Sequence, residues 1–166
     1  MIRVDIETII MAAGPVPSVI VLRERGAEDA SDAPLRALSI QTGSYEAAAV
    51  SRGIEGSEGA RPITHDLMLE SIKQLGGKLE RVEIDRVDAP VFYASVVLEN
   101  GVGEERHIDA RPSDALALAV RTNAPIFVED DVMNRAGSIS YRTEDDKEKE
   151  LERFDEFARS VSPDDF

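Results

Sequence analysis

Apolar and polar residues alternate along several short segments of this chain, and each such segment predicts a β-strand. Val4 and Ile6, for example, are separated by Asp5. A period of two residues is typical of a strand that buries one face. Asn100-Gly101 predicts a tight hairpin between two of the strands. The predicted strands span residues 3–12, 18–22, 35–41, 79–87, 91–98, 104–110 and 126–128.

Segments with a period near 3.6 residues predict the helices. Residues 64–75 are amphipathic and stop at two glycines, whereas residues 113–121 are apolar on nearly every side and need burial on more than one side. An alanine-rich helix is expected over residues 45–51, ending at Gly53, and a helical turn over residues 129–134. Antiparallel strands with segregated helices indicate the α+β class, with an antiparallel or mixed sheet and flanking helices.

The apolar helix over residues 113–121 should share one core with the central strands. Thr64 and Ser113 are the expected N-caps of the two main helices, because hydroxyl side chains accept hydrogen bonds from free backbone N–H groups. The expected core members are Ala115, Leu116, Leu118, Ala119, Val82, Ile84, Phe92, Val96 and Ile108.

The length of 166 residues corresponds to one domain, and an apolar content of 42% is sufficient for a packed core. We predict a compact domain over residues 1–134 and an acidic tail over residues 135–166. Within the tail, residues 143–154 suit a helix that Thr143 caps. An apolar stripe either docks this helix on the domain or binds a partner. The stripe consists of Leu151, Phe154, Phe157 and Ala158.

Charge and cysteine content narrow the range of functions. The chain has 33 acidic and 19 basic residues, and its net charge of −14 repels nucleic acid and membranes unless a local basic patch meets them. The absence of cysteine excludes disulfides, thiolate zinc sites and a cysteine nucleophile, and it fits a reducing compartment. The longest apolar run, residues 115–120, is too short to span a membrane, and the acidic start is unlike a signal peptide. We therefore expect a cytoplasmic protein without membrane contact.

A short motif occurs twice, each time at the start of a predicted helix. It reads RPITHD over residues 61–66 and RPSD over residues 111–114. A cation at a helix N-terminus opposes the macrodipole, so one interpretation is that Arg61, Arg111 and Ser113 bind an anion such as phosphate there. The alternative is that each arginine pairs with the nearby aspartate and holds no ligand.

Both histidines of the chain lie beside these motifs. His65 is inside the first, and His107 lies on the strand that leads into the second, on the same face as Asp109. Imidazole and carboxylate groups either activate water for hydrolysis or hold a divalent metal such as Mg or Mn. The spacing matches no established metal motif, and a lone surface histidine is the alternative. The candidate catalytic residues are His65, Asp66, Asp109 and Asp114, and the weak metal candidates are His65, His107 and Asp109.

The two motifs are expected to meet in one pocket, although they are far apart in the sequence. The residues expected to converge there are Arg61, His65, Asp66, Asp109, Arg111 and Asp114. Two helix N-termini that are each preceded by arginine form a better anion site when they face one another than when they are scattered. The prediction requires the side chains of His65 and Asp114 to lie within two helix diameters, about 20–24 Å.

Longer stretches around the motifs resemble the bifunctional nuclease domain family, which is also catalogued as a domain of unknown function. The resemblance is carried by residues 61–67, 108–121 and 124–128, and Glu46-Ala47 resembles part of an earlier family helix. It implies a compact α+β domain and a nuclease activity, because a plant member is described as degrading both DNA and RNA. The resemblance identifies motif positions in this chain, but it provides no established catalytic residues.

Three functions remain open at this point. The resemblance implies a metal-assisted phosphodiesterase that acts on DNA or RNA. The acidic composition and the aromatic content of only 5% favour instead a binding or regulatory domain for an anionic ligand or protein partner, or a structural homo-oligomer, because nucleic-acid binders usually show a basic face. We also expect a homodimer, since the short N-terminal strands would otherwise leave free edges.

Overall fold

A computed structural model describes residues 1–26, 34–56 and 60–139 of the chain. The predicted tail helix over residues 143–154 therefore lies outside the described residues. The strands are β1 (Ile2–Ile10), β2 (Ser18–Glu24), β3 (Arg36–Thr42), β4 (Lys78–Asp88), β5 (Val91–Glu99), β6 (Glu105–Ala110), β7 (Ile126–Val128) and β8 (Ser138–Ile139). The helices are α1 (Ser44–Glu55), α2 (Thr64–Gln74), α3 (Pro112–Thr122) and α4 (Asp130–Ala136).

The strands form one mixed sheet in the order β6-β5-β4-β7-β1-β2-β3-β8. The neighbouring pairs are antiparallel except β4 and β7, which run parallel because α3 crosses over between β6 and β7. The hairpin connections between β4 and β5 and between β5 and β6 explain the antiparallel pairing of those strands. The predicted α+β class and mixed sheet with flanking helices are confirmed.

One face of the sheet carries the core, and α3 lies at its centre. Val4, Ile126, Val82 and Val96 stand in register across neighbouring strands and are at most 8% exposed. Leu116 of α3 is fully buried against this face, as its apolar surroundings in the sequence predicted. The opposite face of the sheet carries many charged side chains, which include Asp5, Arg23 and Glu83.

The predicted core is confirmed except at two positions. Ile108 is 48% exposed, and Phe92 is only partly buried at the edge of the core. Ile108 shares the face of Val96, but it lies on β6, an edge strand of the sheet, where its side chain borders an open groove. Alternation predicted its face correctly, whereas its exposure depends on the position of β6 in the strand order.

The helix boundaries correct three expectations. Helix α1 continues to Glu55, so Gly53 lies inside the helix instead of ending it. Thr64 and Ser113 are not N-caps: Ile63 and Arg111 occupy those positions, and Ser113 is the second residue of α3. Pro112 begins α3, because its fixed φ suits the first helical position and no backbone N–H is lost there.

The N-terminal strands do not leave the free edges from which a homodimer was predicted. β1 pairs with β2 on one side and β7 on the other, and β2 lies between β1 and β3. Among the described strands, the sheet instead ends at β6 and β8. In the part of the chain that the structure describes, no helix is long and apolar enough to cross a membrane.

Candidate functional site

The two sequence motifs meet where α2 and α3 begin. The Nε2 atom of His65 lies 3.0 Å from Oδ1 of Asp114. The first residue comes from α2 and the second from α3, 49 positions later in the chain. The predicted convergence of the two motifs is confirmed at these two residues.

Asp114 is the centre of a larger hydrogen-bond cluster. Arg111 donates from Nε to Oδ2 of Asp114 at 2.8 Å and from Nη2 to Oδ1 at 3.2 Å. It also donates from Nη1 to Oε1 of Glu46 on α1, again at 3.2 Å. We refer to His65, Asp114, Arg111 and Glu46 as the polar cluster.

Electrostatics hold Asp114 and Arg111 in their ionised forms. Burial of the Asp114 carboxyl opposes its ionisation, but the hydrogen bonds from Arg111 and His65 outweigh this effect and keep its pKa below the ordinary value. Hydrogen bonds to Asp114 raise the pKa of Arg111 in turn. The side chain of Arg111 remains 63% exposed, so the cluster presents a cation to solvent at one edge.

His65 is oriented but largely enclosed. Its side chain is only 15% exposed, and Nδ1 is buried with no hydrogen-bond partner in the described residues. An ionised Asp114 accepts a hydrogen bond from Nε2–H, and in a neutral imidazole this contact places the lone pair on Nδ1. A histidine whose tautomer is fixed by a carboxylate is a recurrent arrangement for general acid–base chemistry.

All four residues of the polar cluster line a groove of about 880 Å³, which we call the apolar groove. Its walls are formed by side chains of α2, β5, β6 and α3. Tyr45 stands at the rim and is 90% exposed. The apolar lining includes Met68, Ile72, Val96, Leu98, Ile108 and Leu118. An apolar concavity with a few polar groups at one end is typical of a ligand site.

Asp66 faces away from the polar cluster. Its carboxylate accepts a hydrogen bond from the backbone N–H of Ile63 at 2.9 Å and another from Nε of Arg121 at 2.8 Å. These two hydrogen bonds, in that order, keep its pKa below the ordinary value. Asp66 therefore caps α2 and pairs with the last turn of α3, and its predicted catalytic role has no geometric support.

Arg121 joins three helices through one buried guanidinium. Besides Asp66 on α2, it donates from Nη1 to the carbonyl oxygens of Ala49 on α1 and Ala117 on α3, at 2.9 and 2.7 Å. Its side chain is only 8% exposed. A Cβ atom on Gly53 would lie 2.6 Å from Nη1 of Arg121, which explains the glycine inside α1.

The remaining predicted site residues do not join the polar cluster. Arg61 is exposed and has no hydrogen bond or ion pair within the described residues, so the alternative in which it pairs with Asp66 is wrong. Asp109 borders the apolar groove but makes no hydrogen bond to His65 or Arg111. Ser113 is 6% exposed and does not line the groove.

The weak metal candidates are not assembled into one site. His107 lies on β6 with half of its side chain exposed, 3.7 Å from a carboxylate oxygen of Glu105. Across residues 1–26, 34–56 and 60–139, no three His, Asp or Glu side chains are grouped so that they could hold a metal ion. Both carboxylates of the polar cluster, Asp114 and Glu46, are already paired with Arg111.

Sequence reasoning missed two contributors to this region. Glu46 was noted only as part of a family helix, yet it binds Arg111 across 65 positions of sequence. Arg121 ends the family stretch over residues 108–121, and the motif assigns it no role. Its position seven residues after Asp114, on a helix with few other polar residues, was the available signal: a cation on an apolar helix needs a buried partner.

The fold and the site together define an α+β domain with a histidine–aspartate–arginine cluster in the lining of an apolar groove. The chain belongs to the bifunctional nuclease domain family, whose model matches residues 27–140. Two relatives from Mycobacterium tuberculosis, from strains CDC 1551 / Oshkosh and ATCC 25618 / H37Rv, are each 38% identical over 154 residues. These alignments cover 89% of this chain and 87% of each relative, and both relatives are described as uncharacterized proteins. The resemblance to the family is thereby confirmed.

Proposed function

We propose that this protein hydrolyses phosphodiester bonds of DNA or RNA at the polar cluster. Membership of the bifunctional nuclease domain family supports a nuclease-related function. The observation that carries the proposal is the contact of His65 with Asp114 beside Arg111, because it joins an oriented acid–base group to an exposed cation.

Arg111 is assigned to the phosphate. Its guanidinium is 63% exposed, and its contact with Glu46 at 3.2 Å is long for a charge-assisted hydrogen bond. A phosphate oxygen can replace Glu46 as the acceptor for Nη1, while Nε and Nη2 stay on Asp114. The cation then offsets the negative charge that develops on the phosphoryl oxygens in the transition state.

His65 is assigned to proton transfer. Hydrolysis forms a bond from a water oxygen to phosphorus and breaks the bond from phosphorus to a sugar oxygen. The imidazole takes the proton that the water loses, and the same proton can return to the leaving oxygen. The free nitrogen, Nδ1, is enclosed in the structure, so this role requires α2 to move and expose Nδ1 while Nε2 keeps its contact with Asp114.

The proposed hydrolysis does not involve a divalent metal bound by the polar cluster. The described residues group no three potential ligands, and the two carboxylates of the polar cluster are occupied by Arg111. Metal dependence is instead left to the assay, which includes conditions with Mg, with Mn and with a chelator.

A second candidate function is a non-catalytic binding domain. The apolar walls of the groove favour it, because a polyanionic strand gains little from contacts with Met68, Leu98 and Ile108. In this case the polar cluster orients a small ligand that has an anionic end and an apolar body, and no bond is broken.

Cleavage assays on labelled single- and double-stranded DNA and RNA distinguish the two functions. The full chain is compared with His65→Gln, Asp114→Asn and Arg111→Ala. Arg25→Ala is the matched control, because Arg25 is also an exposed arginine in an ion pair, with Asp5. Loss of general acid–base catalysis should lower the cleavage rate by about 100-fold or more in the His65 variant.

The outcomes are separable. If the three variants lose cleavage while Arg25→Ala retains it, the nuclease proposal stands. If cleavage is equal in all five proteins, the activity comes from a contaminant and the proposal fails. If no cleavage occurs but nucleotides bind in an Arg111-dependent manner, the binding domain is the correct function.

A further inference from the structure

The outer edge of β6 has a defined hydrogen-bonding pattern. In the hairpin, the N–H of Asn100 donates to the carbonyl of Glu104, and β6 then pairs with β5 without a bulge. Antiparallel pairs alternate between hydrogen-bonded and non-hydrogen-bonded types. Counting from this hairpin, Arg106, Ile108 and Ala110 bond to β5, and residues 105, 107 and 109 direct their backbone groups outward.

No described strand occupies this outer edge, because β6 is the first strand in the sheet order. The side chains of β6 also divide by face. Ile108 borders the apolar groove and is 48% exposed. His107 and Asp109 lie on the opposite face of the sheet, together with Val97 and Ser95, their partners on β5. An unpaired edge next to an exposed apolar side chain invites another strand.

We propose that two copies of this chain pair through β6, antiparallel, about a two-fold axis at Ile108. In this register, Ile108 of each copy lies opposite Ile108 of the other, and His107 lies opposite Asp109 of the second copy. The outward backbone groups of His107 and Asp109 then form the hydrogen-bonded pairs, twice by symmetry. The interface is self-complementary in backbone, charge and apolar contact.

Charge selects this register over its neighbours. Only registers that shift by whole two-residue steps keep the outward groups of both strands facing each other. A two-fold axis at His107 would place Glu105 of one copy opposite Asp109 of the other. A two-fold axis at Asp109 would place the two copies of Asp109 opposite each other. Like charges directly opposite each other are destabilising, whereas opposite charges stabilise a pair by about 0.2–1 kcal/mol.

The register centred on Ile108 also pairs Glu105 with Arg111 of the second copy. Both Glu105 and Arg111 keep exposed surface beside their present partners, at 49% and 63% of the side chain. Charged residues on an edge strand commonly prevent pairing. Here the order of acidic and basic residues along β6 disfavours the neighbouring registers and favours one, so the same charges specify the pairing register.

The pairing has a consequence for the apolar groove. Because Ile108 lines the groove and faces its counterpart, the second copy borders the open side of the groove. The two sheets become continuous, and the helices of both copies lie on the same side. The two polar clusters then open towards one shared surface.

The full chain at about 100 µM, a concentration that populates even a micromolar dimer, is examined by light scattering and sedimentation. The mass should be about twice 18.1 kDa. Ile108→Glu, Asp109→Lys and His107→Asp should each shift the mass to that of one chain. Val102→Glu is the matched control, since Val102 is an exposed apolar residue at the tip of the adjoining hairpin and should leave the dimer intact.

The double variant His107→Asp with Asp109→His decides the register. It restores a histidine opposite an aspartate across the two-fold axis, so it should return to the dimer although His107→Asp alone does not. Circular dichroism checks that each variant is folded. A single-chain mass for the unmodified protein, a dimer that tolerates Ile108→Glu, or a double variant that remains dissociated would each overturn the proposal. Cleavage activity is not used as a readout, so this result is independent of the proposed function.

Discussion

The ion pair Arg111–Asp114 lies at the start of α3, whereas Arg121–Asp66 joins the last turn of α3 to α2, and the two pairs differ in burial. The guanidinium of Arg121 is 8% exposed and has acceptors on three helices, whereas that of Arg111 is 63% exposed and bonds two carboxylates at the groove. Asp66 borders a separate cavity of about 650 Å³, and Asp114 borders the apolar groove. The two aspartates come from similar motifs, yet one pair holds the helices together and the other can meet a ligand.

The difference arises from where each arginine is attached. Arg121 belongs to the last turn of α3 and crosses the buried junction of α1, α2 and α3. Arg111 precedes α3 and stays at the surface. Similar residue types therefore acquire a structural or a functional role according to the burial that the surrounding helices impose.

The largest effect is expected from removing Arg121. Arg121→Ala leaves two helix carbonyls and Asp66 without their donor, and it should lower the free energy of unfolding by about 3 kcal/mol, the lower end for a broken buried ion pair because Asp66 keeps contact with water. Urea unfolding measures this change. A loss below about 1 kcal/mol, the range of an exposed pair, would remove the contrast between the two pairs.

A methyl group at position 53 should disturb the same junction. In Gly53→Ala, the added Cβ would lie 2.6 Å from both Nη1 of Arg121 and Cγ2 of Val120. The crowding costs about 1–3 kcal/mol and exceeds the gain in helix propensity of about 1 kcal/mol. Thermal unfolding should show a lower Tm, whereas Glu55→Ala on an exposed turn of α1 should not. An increase in Tm for Gly53→Ala would show that α1 and α3 have room to separate.

A fall in pH should reduce the stabilisation by both the Arg121–Asp66 and the Arg111–Asp114 ion pair. The pKa values of Asp66 and Asp114 lie below their ordinary values in the folded protein. Their stabilisation is therefore complete above the unfolded pKa of about 4 and is lost as the pH falls through the folded values. Asp66→Asn should make the fall in unfolding free energy between about pH 5 and pH 2 shallower. An unchanged slope in urea unfolding across this range would contradict the role of Asp66.

The smallest effect on stability is expected at the groove. Arg111→Ala removes an exposed arginine, and exposed ion pairs contribute about 0–1 kcal/mol. The Tm should change little, although the proposed function requires a large loss of cleavage or ligand binding. If Arg111→Ala destabilises the protein as strongly as Arg121→Ala, the polar cluster is a second structural junction and not a site.

Local pattern predicted most of the elements because burial on one face leaves a period in the sequence. The helix over residues 113–121 and the strands near residues 79–87 and 91–98 match α3, β4 and β5 within about two residues. The internal position of Gly53 was missed, because glycine ends helices more often than it packs inside them. That exception depends on Arg121, which lies on another helix.

The sequence by itself determined the faces of the strands, the apolar character of α3 and the residues of the two motifs, since these depend on neighbours along the chain. Only the tertiary structure decided which partner each charged group receives. His65 meets Asp114 and Asp66 meets Arg121 because α2 packs beside α3, and Ile108 is exposed because β6 ends the sheet. Partner choice and exposure depend on distance in space, which a one-dimensional pattern does not contain.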